Sequence, residues 1–288
     1  MYPGINIAAY QSTSVDPTDV DISSISSDRL TFLSINRFER KKNVALAVNA
    51  FTLFRKAILK PSQYRLVLAG GYDPRVQDNK ETLEYLVELA TQSNLSYRLL
   101  SASSSTLSSF QDSQKENVDV LFLLNFTTAQ RTYLLTSPTT RALLYTPTNE
   151  HFGIGPVEGM ITGLPVLATD TGGPTETVIS SPPSLRTGWL EDSVPETWCR
   201  ALEEIVGLTE QERLGLSKRA KERAGRLFSM EALAKGMENA LVEANEMGSL
   251  RREDGVIGYG LMFLIFLLSC WFSYTFAPMV APPILIPT

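Results

Sequence analysis

The chain has 288 residues, 43% of them hydrophobic and 20% charged, with a net charge of −5. That is the make-up of an ordinary globular protein of one large domain or two small ones. No basic run is long enough to track a phosphate backbone, which excludes nucleic acid as an expected partner. One histidine, His151, excludes most histidine-based metal sites and argues against a Ser-His-Asp triad, so no metal is expected. Cys199 and Cys270 stand far apart without metal-ligand spacing, as reduced thiols do in a cytosol-facing protein.

The opening Met1-Tyr2-Pro3-Gly4 lacks the basic start and apolar core of a secretory signal. Residues 1–28 are rich in Ser, Asp, Thr and Pro and read as an extended linker entering a domain. Thr31–Ile35 reads as a strand. Val44–Ile58 has apolar residues at helical spacing, with Asn43 placed to cap it. Tyr64–Ala69 is a second strand, closed by Gly70-Gly71. Glu81–Ala90 is a helix with Leu83, Leu86, Val87 and Ala90 on one face. Ser101–Asn117 is a Ser-rich loop. Val118–Leu124 and Ala142–Thr146 are apolar strands. A glycine-containing loop from Glu150, a helix to Ile161, a strand Val166–Thr169 and a Gly172-Gly173 loop follow. More charged helices fill residues 194–246. Strands and helices alternate, and the strands are continuously apolar. The expected fold is therefore α/β, a doubly wound parallel sheet over residues 29–250. Such sheets bind ligands at the carboxyl ends of their strands, where every one of these glycine loops falls.

Val256–Phe276 carries no charge and is about the 20 residues needed to cross a bilayer's hydrocarbon core. Trp271 and Tyr274 lie near its end, and Arg251-Arg252 precede it. A C-terminal transmembrane helix over 256–276 is expected, with the preceding domain on the cytoplasmic side. The plainer alternative is a buried core helix. Residues 277–288 form a Pro-rich apolar tail, too short for a second span and suited to the lipid interface.

The chemistry concentrates in three clusters. Glu150 and Glu158 are separated by seven residues. Phe152, Gly153, Ile154 and Gly155 open the helix that carries Glu158. A helix start offers free N–H groups and a positive dipole end to a diphosphate, and glycine permits close approach. Carboxylates accept two hydroxyl hydrogen bonds and suit a vicinal diol. The plainer reading is a tight turn with two solvated acids. The second cluster is Asn36-Arg37-Phe38-Glu39-Arg40-Lys41-Lys42-Asn43, placed after the first strand. Its four cations suit a diphosphate leaving group, or form a solvated loop. Gly172-Gly173 and Gly70 are candidate phosphate- or sugar-binding turns, or turns alone. His151 suits a sugar or phosphate oxygen, or an ordinary loop position. Asn94 and Asn125 match glycosylation sequons, which a cytoplasmic face leaves unused.

The carboxylate pair, followed by Gly163-Leu164-Pro165-Val166-Leu167-Ala168-Thr169-Asp170-Thr171-Gly172-Gly173-Pro174-Thr175-Glu176, resembles the retaining glycosyltransferases of the GT-B fold, family 4. Ser34–Ala47, Glu150–Ile154 and the hydrophobic C-terminus are similar to the branch that adds mannose to dolichol-linked oligosaccharide in N-glycan assembly. The resemblance covers roughly residues 2–280. It implies a Rossmann-like donor domain and mannose transfer from GDP-mannose to a dolichol-diphosphate oligosaccharide with alpha-1,3 and alpha-1,6 linkage. No cofactor is implied. The implied location is the endoplasmic reticulum membrane, facing the cytosol.

The resemblance also implies roles. Arg37 and Lys42 hold the donor diphosphate, Glu150 contacts the mannose and Glu158 binds the ribose. The N–H groups around Phe152, Gly153 and Ile154 hold the phosphate and sugar. Two residues depart from the family pattern: Gly155 replaces a larger residue and Gly159 replaces Ala. The larger departure is that a GT-B enzyme has two such domains, and this chain matches only the donor half. The acceptor domain, on this reading, belongs to a truncated part of the gene or to a separate chain, and other glycan-assembly enzymes are expected partners. The alternatives are a non-catalytic membrane-anchored donor subunit of a split enzyme, or a GT-B transferase acting on phosphatidylinositol with a UDP-sugar.

Overall fold

The computed structural model describes residues 2–11, 19–101, 117–247 and 253–276. The chain divides into two compact units, residues 1–234 and 235–288. The first is built on one seven-stranded sheet. Its strands are β1 (Leu30–Ile35), β2 (Tyr64–Gly70), β3 (Tyr97–Ser101), β4 (Val120–Leu124), β5 (Thr140–Tyr145), β6 (Val166–Thr169) and β7 (Gly188–Glu191). All neighbours pair in parallel. The order is β3-β4-β2-β1-β5-β6-β7. From β1 the chain adds β2, places β3 at the edge, comes back to set β4 between them, then crosses to β5 on the other side of β1 and builds outward through β6 and β7. The crevice above β1 and β5 is the switch point where doubly wound sheets bind ligands.

The helices are α1 (Ala8–Gln11), α2 (Val20–Ser23), α3 (Ala45–Ala57), α4 (Gln77–Gln92), α5 (Thr128–Thr136), α6 (Ile154–Thr162), α7 (Pro174–Thr177), α8 (Pro195–Gly207), α9 (Glu210–Phe228), α10 (Met230–Glu246) and α11 (Glu253–Phe276). Alternate residues of each strand face opposite layers. Phe32, Leu66, Leu68, Phe122, Leu124 and Leu144 join Phe51 of α3, Leu83 of α4 and Trp198 of α8 in one core. Leu33, Val67, Leu121, Leu123 and Leu143 join Leu134 and Leu135 of α5 in another. Val166 and Ala168 pack with Val157 and Met160 of α6 and Ala220 and Ala224 of α9. Both faces are thus apolar, which is why the strands read as unbroken apolar runs rather than alternating ones.

Several elements differ from the expected ones. The segment expected to be a linker holds α1 and α2 and contributes Ile5, Ile22 and Ile25 to the core. Residues 12–18 of it lie outside the described residues. Asn43 does not cap α3. It sits in the left-handed region at φ 47°, ending a 3-10 turn over Arg40–Lys42, and Val44 is the residue before α3. The edge strands β3 and β7 and helix α5 were not foreseen. Most of the expected Ser-rich loop, residues 102–116, lies outside the described residues, as does the tail 277–288.

In the second unit, α11 is helical over Glu253–Phe276. Its described apolar side chains, Leu261, Phe263, Ile265, Leu268 and Phe272 among them, are exposed. Among the described residues no helix is long and apolar enough to cross a membrane. The transmembrane span expected over 256–276 is therefore not carried by them.

Candidate functional site

The loops after β1, β5 and β6 converge at the switch point. After β1, the 3-10 turn turns consecutive cations in different directions. Lys42 is largely buried, with a side chain 13% exposed, and its Nζ pairs with Glu150 Oε1. Lys41 points outward and pairs with Glu39 Oε2 at 3.3 Å. Arg37 is 62% exposed and its Nη1 pairs with Glu39 Oε1 at 2.7 Å. Arg40 Nη2 bonds Glu81 Oε2 at 3.0 Å. The structure thus brings Lys42 to Glu150 and leaves Arg37 paired with Glu39 beside the same loop. The Thr146 hydroxyl, just past β5, donates to the Lys42 carbonyl at 2.7 Å and ties the two loops together.

The Glu150 loop leads into α6, whose N-cap is Gly153 at φ 76° and ψ 97°. No side chain caps this end, so the first-turn N–H groups are free of the usual internal acceptor. An added Cβ at Gly153 would sit 2.6 Å from the Tyr145 hydroxyl. Tyr145 is buried, and burial first, then the Glu150 and Glu158 charges, push its phenol far above the usual range. Phe152 is half-buried, its ring 5.6 Å from that of Phe228 and 6.1 Å from that of Tyr2. His151 and Ile154 are exposed.

The glycines mainly serve close backbone approach. A side chain at Gly173 would run into the backbone of Phe152, and one at Gly172 into the Glu150 carbonyl. Gly173 N–H donates to that same carbonyl at 2.7 Å. A side chain at Gly70 would overlap the Asn36 carbonyl where the β1 loop crosses β2. The two departures from the family pattern also have packing reasons. An added Cβ at Gly155 would meet the Tyr145 ring at 2.9 Å. One at Gly159 would meet Val166 Cγ2 at 2.8 Å and Leu143 Cδ2 at 2.9 Å.

Glu158 is buried in α6, 7% exposed. Its Oε1 accepts from the Tyr10 hydroxyl at 2.8 Å and from Arg131 Nη2. Arg131 Nη2 also donates to Tyr10 Oη at 2.7 Å, and the guanidinium lies 5.2 Å from the Tyr10 ring centre. Among the described residues no cluster of three or more His, Cys, Asp or Glu stands together in a way that would hold a metal ion. Cys199 and Cys270 are free, and burial pushes the Cys199 thiol up to about 11. The site therefore presents cations and helix N–H groups beside two carboxylates. That arrangement suits a ligand with an anionic middle and hydroxyl-bearing ends.

The model of the glycosyl transferases group 1 family matches residues 15–223. The chain belongs to the group 1 glycosyl transferases. Among its relatives, the alpha-1,3/1,6-mannosyltransferase ALG2 of Rhizomucor pusillus is 40% identical over 248 residues, which is 84% of this chain and 52% of that protein. The alpha-1,3/1,6-mannosyltransferase ALG2 of Saccharomyces cerevisiae is 35% identical over 243 residues, 83% of this chain and 47% of that protein. This glycosyl transferase chain spans about half the length of the curated relatives it matches. Solved structures share its fold. The trehalose 6-phosphate synthase of Burkholderia multivorans aligns with a TM-score of 0.66 at 14% identity, over 86% of this chain and 51% of its own. The C-terminal domain of the group 1 glycosyl transferase LpcC from Francisella tularensis aligns with a TM-score of 0.56 at 14% identity, over 79% of this chain and 100% of its own.

Two residues that contact Glu158 at the candidate site, Tyr10 and Arg131, are missing from the sequence reading. Tyr10 lay in the supposed linker and had no signal. Arg131 had one: Thr127 and Gln130 form a capping box that opens α5 and carries Arg131 on its first turn.

Proposed function

We propose that this chain is the donor-binding half of a mannosyltransferase. The whole enzyme would move mannose from GDP-mannose to a dolichol-diphosphate-linked oligosaccharide, making alpha-1,3 and alpha-1,6 linkages during N-glycan precursor synthesis. The observation that carries the proposal is the pairing of Lys42 with Glu150 beside the uncapped start of α6, at the switch point of the sheet. The similarity to alpha-1,3/1,6-mannosyltransferases supports the sugar and the linkages.

In this reading the diphosphate lies over the first turn of α6. Lys42 and, after release from Glu39, Arg37 contact its oxygens. Glu150 accepts from mannose hydroxyls, and Glu158 accepts from the ribose diol. In the transfer, the bond from mannose C1 to the β-phosphate oxygen breaks and its electron pair leaves with GDP. An acceptor hydroxyl adds to C1 on the same face and passes its proton to the departing phosphate oxygen, so the configuration is retained. Charge grows on the departing phosphate, where preorganised cations and N–H dipoles lower the barrier most. The acceptor-binding domain acts across the cleft from these loops. The charge-free run Val256–Phe276 anchors the protein in the endoplasmic reticulum membrane with the donor site facing the cytosol.

Calorimetry with GDP on the purified chain tests the donor reading, and saturable binding that exceeds UDP binding is expected. UDP preference, or no nucleotide binding by a folded protein, overturns it. Alkaline extraction of membranes tests the anchor, and release of the protein into the supernatant would refute that part alone.

A further inference from the structure

Three elements distant in sequence meet on one carboxylate oxygen. Glu158 Oε1 takes the Tyr10 hydroxyl from α1 and Arg131 Nη2 from α5, and these two partners also bond each other. Both of these bonds to Glu158 fall on Oε1 and neither uses Oε2. The two bonds to Oε1 restrict the rotamers open to the Glu158 side chain. The clamp is itself braced. Gln130, next to Arg131, closes the capping box with Thr127 at the start of α5. The segment carrying Tyr10 is held by Ile5, whose N–H donates to the Phe228 carbonyl at 2.7 Å, and by the Tyr2 ring lying edge-on to Phe228 at 5.2 Å. Burial, together with the Glu158 charge, pushes the Tyr10 phenol up to about 12, so it remains a donor at any physiological pH.

We propose that Tyr10 and Arg131 are positioning residues that lock Glu158 through Oε1 so that Oε2 is presented to a ribose diol, making the clamp the source of discrimination between ribo- and deoxyribonucleotides. The inference rests on the reading of Glu158 as the ribose acceptor. It adds what that reading lacks, a reason why a single carboxylate is held in one direction. It also gives the segment around Tyr10 a part in donor binding, although Tyr10 itself stays on the far oxygen. A guanidinium suits this duty because its planar, fixed donors hold two acceptors at once, whereas an ammonium group acts as a point charge.

The experiment measures dissociation constants of GDP, 2′-deoxy-GDP and 3′-deoxy-GDP for the full chain in detergent, in wild type and in Tyr10→Phe, Arg131→Met, Arg131→Lys and Glu158→Gln variants. Thermal melts of each variant monitor folding. Wild type is expected to favour GDP over the deoxy analogues by about tenfold, the scale of one hydrogen bond to a charged group. Arg131→Met is expected to bring that ratio below about threefold, with deoxy-nucleotide affinity changed less than about twofold. Tyr10→Phe, which removes only the hydroxyl, is expected to lower the ratio part-way, and Arg131→Lys to restore some of it. A clamp that merely stabilises the fold would lower melting temperature and leave the ratio unchanged, which overturns the proposal. Equal weakening of all three nucleotides by Arg131→Met overturns it too. If Glu158→Gln abolishes the ratio while Arg131→Met and Tyr10→Phe keep it, the clamp fails and the ribose reading stands. If Glu158→Gln also keeps it, or if wild type shows no preference or no binding, the ribose reading itself fails and the clamp proposal with it.

Discussion

Replacing Lys42 by Met separates the electrostatic role of this side chain from its packing, since the aliphatic stem is kept. Lys42 and Glu150 side chains are 13% and 28% exposed, and their ion pair lies between the two measured extremes. Exposed pairs contribute about 0–1 kcal/mol, and breaking a fully buried one costs about 3–5 kcal/mol. At this intermediate burial, with Glu150 still able to reach water, the expected loss is about 1–2 kcal/mol of folding stability. Glu150→Gln should cost about the same, and the double variant less than the sum, because the two residues share one interaction. Binding separates them by sign. A hydrogen bond to a charged group contributes about 1.5–3 kcal/mol, so Lys42→Met should weaken GDP binding roughly ten- to a hundredfold. Glu150→Gln frees the Lys42 ammonium and removes a negative charge from the neighbourhood of the diphosphate. It should leave GDP binding unchanged or tighten it, while lowering affinity for GDP-mannose relative to GDP. Urea melts give the stability terms and calorimetry with GDP and GDP-mannose gives the binding terms. Lys42→Met protein that folds and binds GDP within about twofold of wild type would refute the electrostatic argument.

Three further outcomes are expected. Asp119 accepts from Arg29 and Arg55 on Oδ1 at 3.1 and 2.7 Å and from Ser96 on Oδ2. Burial alone would raise its carboxyl, but the bonds from Arg29 and Ser96 and the Arg55 charge hold it below the usual range. A folded pKa below the unfolded value of about 3.9 means that its stabilisation is complete well above that value and is lost as pH falls through the folded one. The melting-temperature gap between wild type and Asp119→Asn should therefore be widest near neutrality and narrow below about pH 4; a gap constant down to pH 3 would contradict it. Gly173→Ala forces a methyl onto the Phe152 backbone. The cost should be about 2–3 kcal/mol in urea melts, with weakened GDP binding. Thr127→Ala removes the hydroxyl that accepts from the Gln130 N–H, while the backbone N–H that donates to the Gln130 side chain stays; the loss should cost about 1 kcal/mol, and a neutral result in a melt would argue against that cap.

The legible parts of the fold were those with a one-dimensional signature. β1, β2, β4, β5 and β6 are buried on both faces and read as apolar runs. The edge strands are short and mixed, Tyr-Arg-Leu-Leu-Ser and Gly-Trp-Leu-Glu, because an edge is covered on fewer sides and tolerates polar residues. Asn43 was misread because an Asn before an apolar helix serves equally as a cap or as a left-handed residue ending a turn. The glutamate pair was visible from spacing alone. Its partners were not: Tyr10 is 148 residues from Glu158 and Lys42 is 108 from Glu150, separations that only the parallel topology brings together. The cation run showed four equivalent charges, and only the 3-10 turn distinguishes Lys42 from Lys41. The glycines left ligand contact and plain turn open, and what the sequence could not show is that Gly70, Gly172 and Gly173 each lie against another stretch of backbone.

The stitching of the rim has an evolutionary consequence. The Thr146 hydroxyl holds the Lys42 carbonyl, and the Gly173 N–H holds the Glu150 carbonyl, so the turns after β1, β5 and β6 are joined in series by hydrogen bonds onto main-chain carbonyls. None of the three can drift in length or shape by itself without breaking a neighbour's bond. Donor preference in such a scaffold should change by exchange of the three turns as one cassette, and chimeras that transplant a single turn should fold poorly before they gain a new sugar.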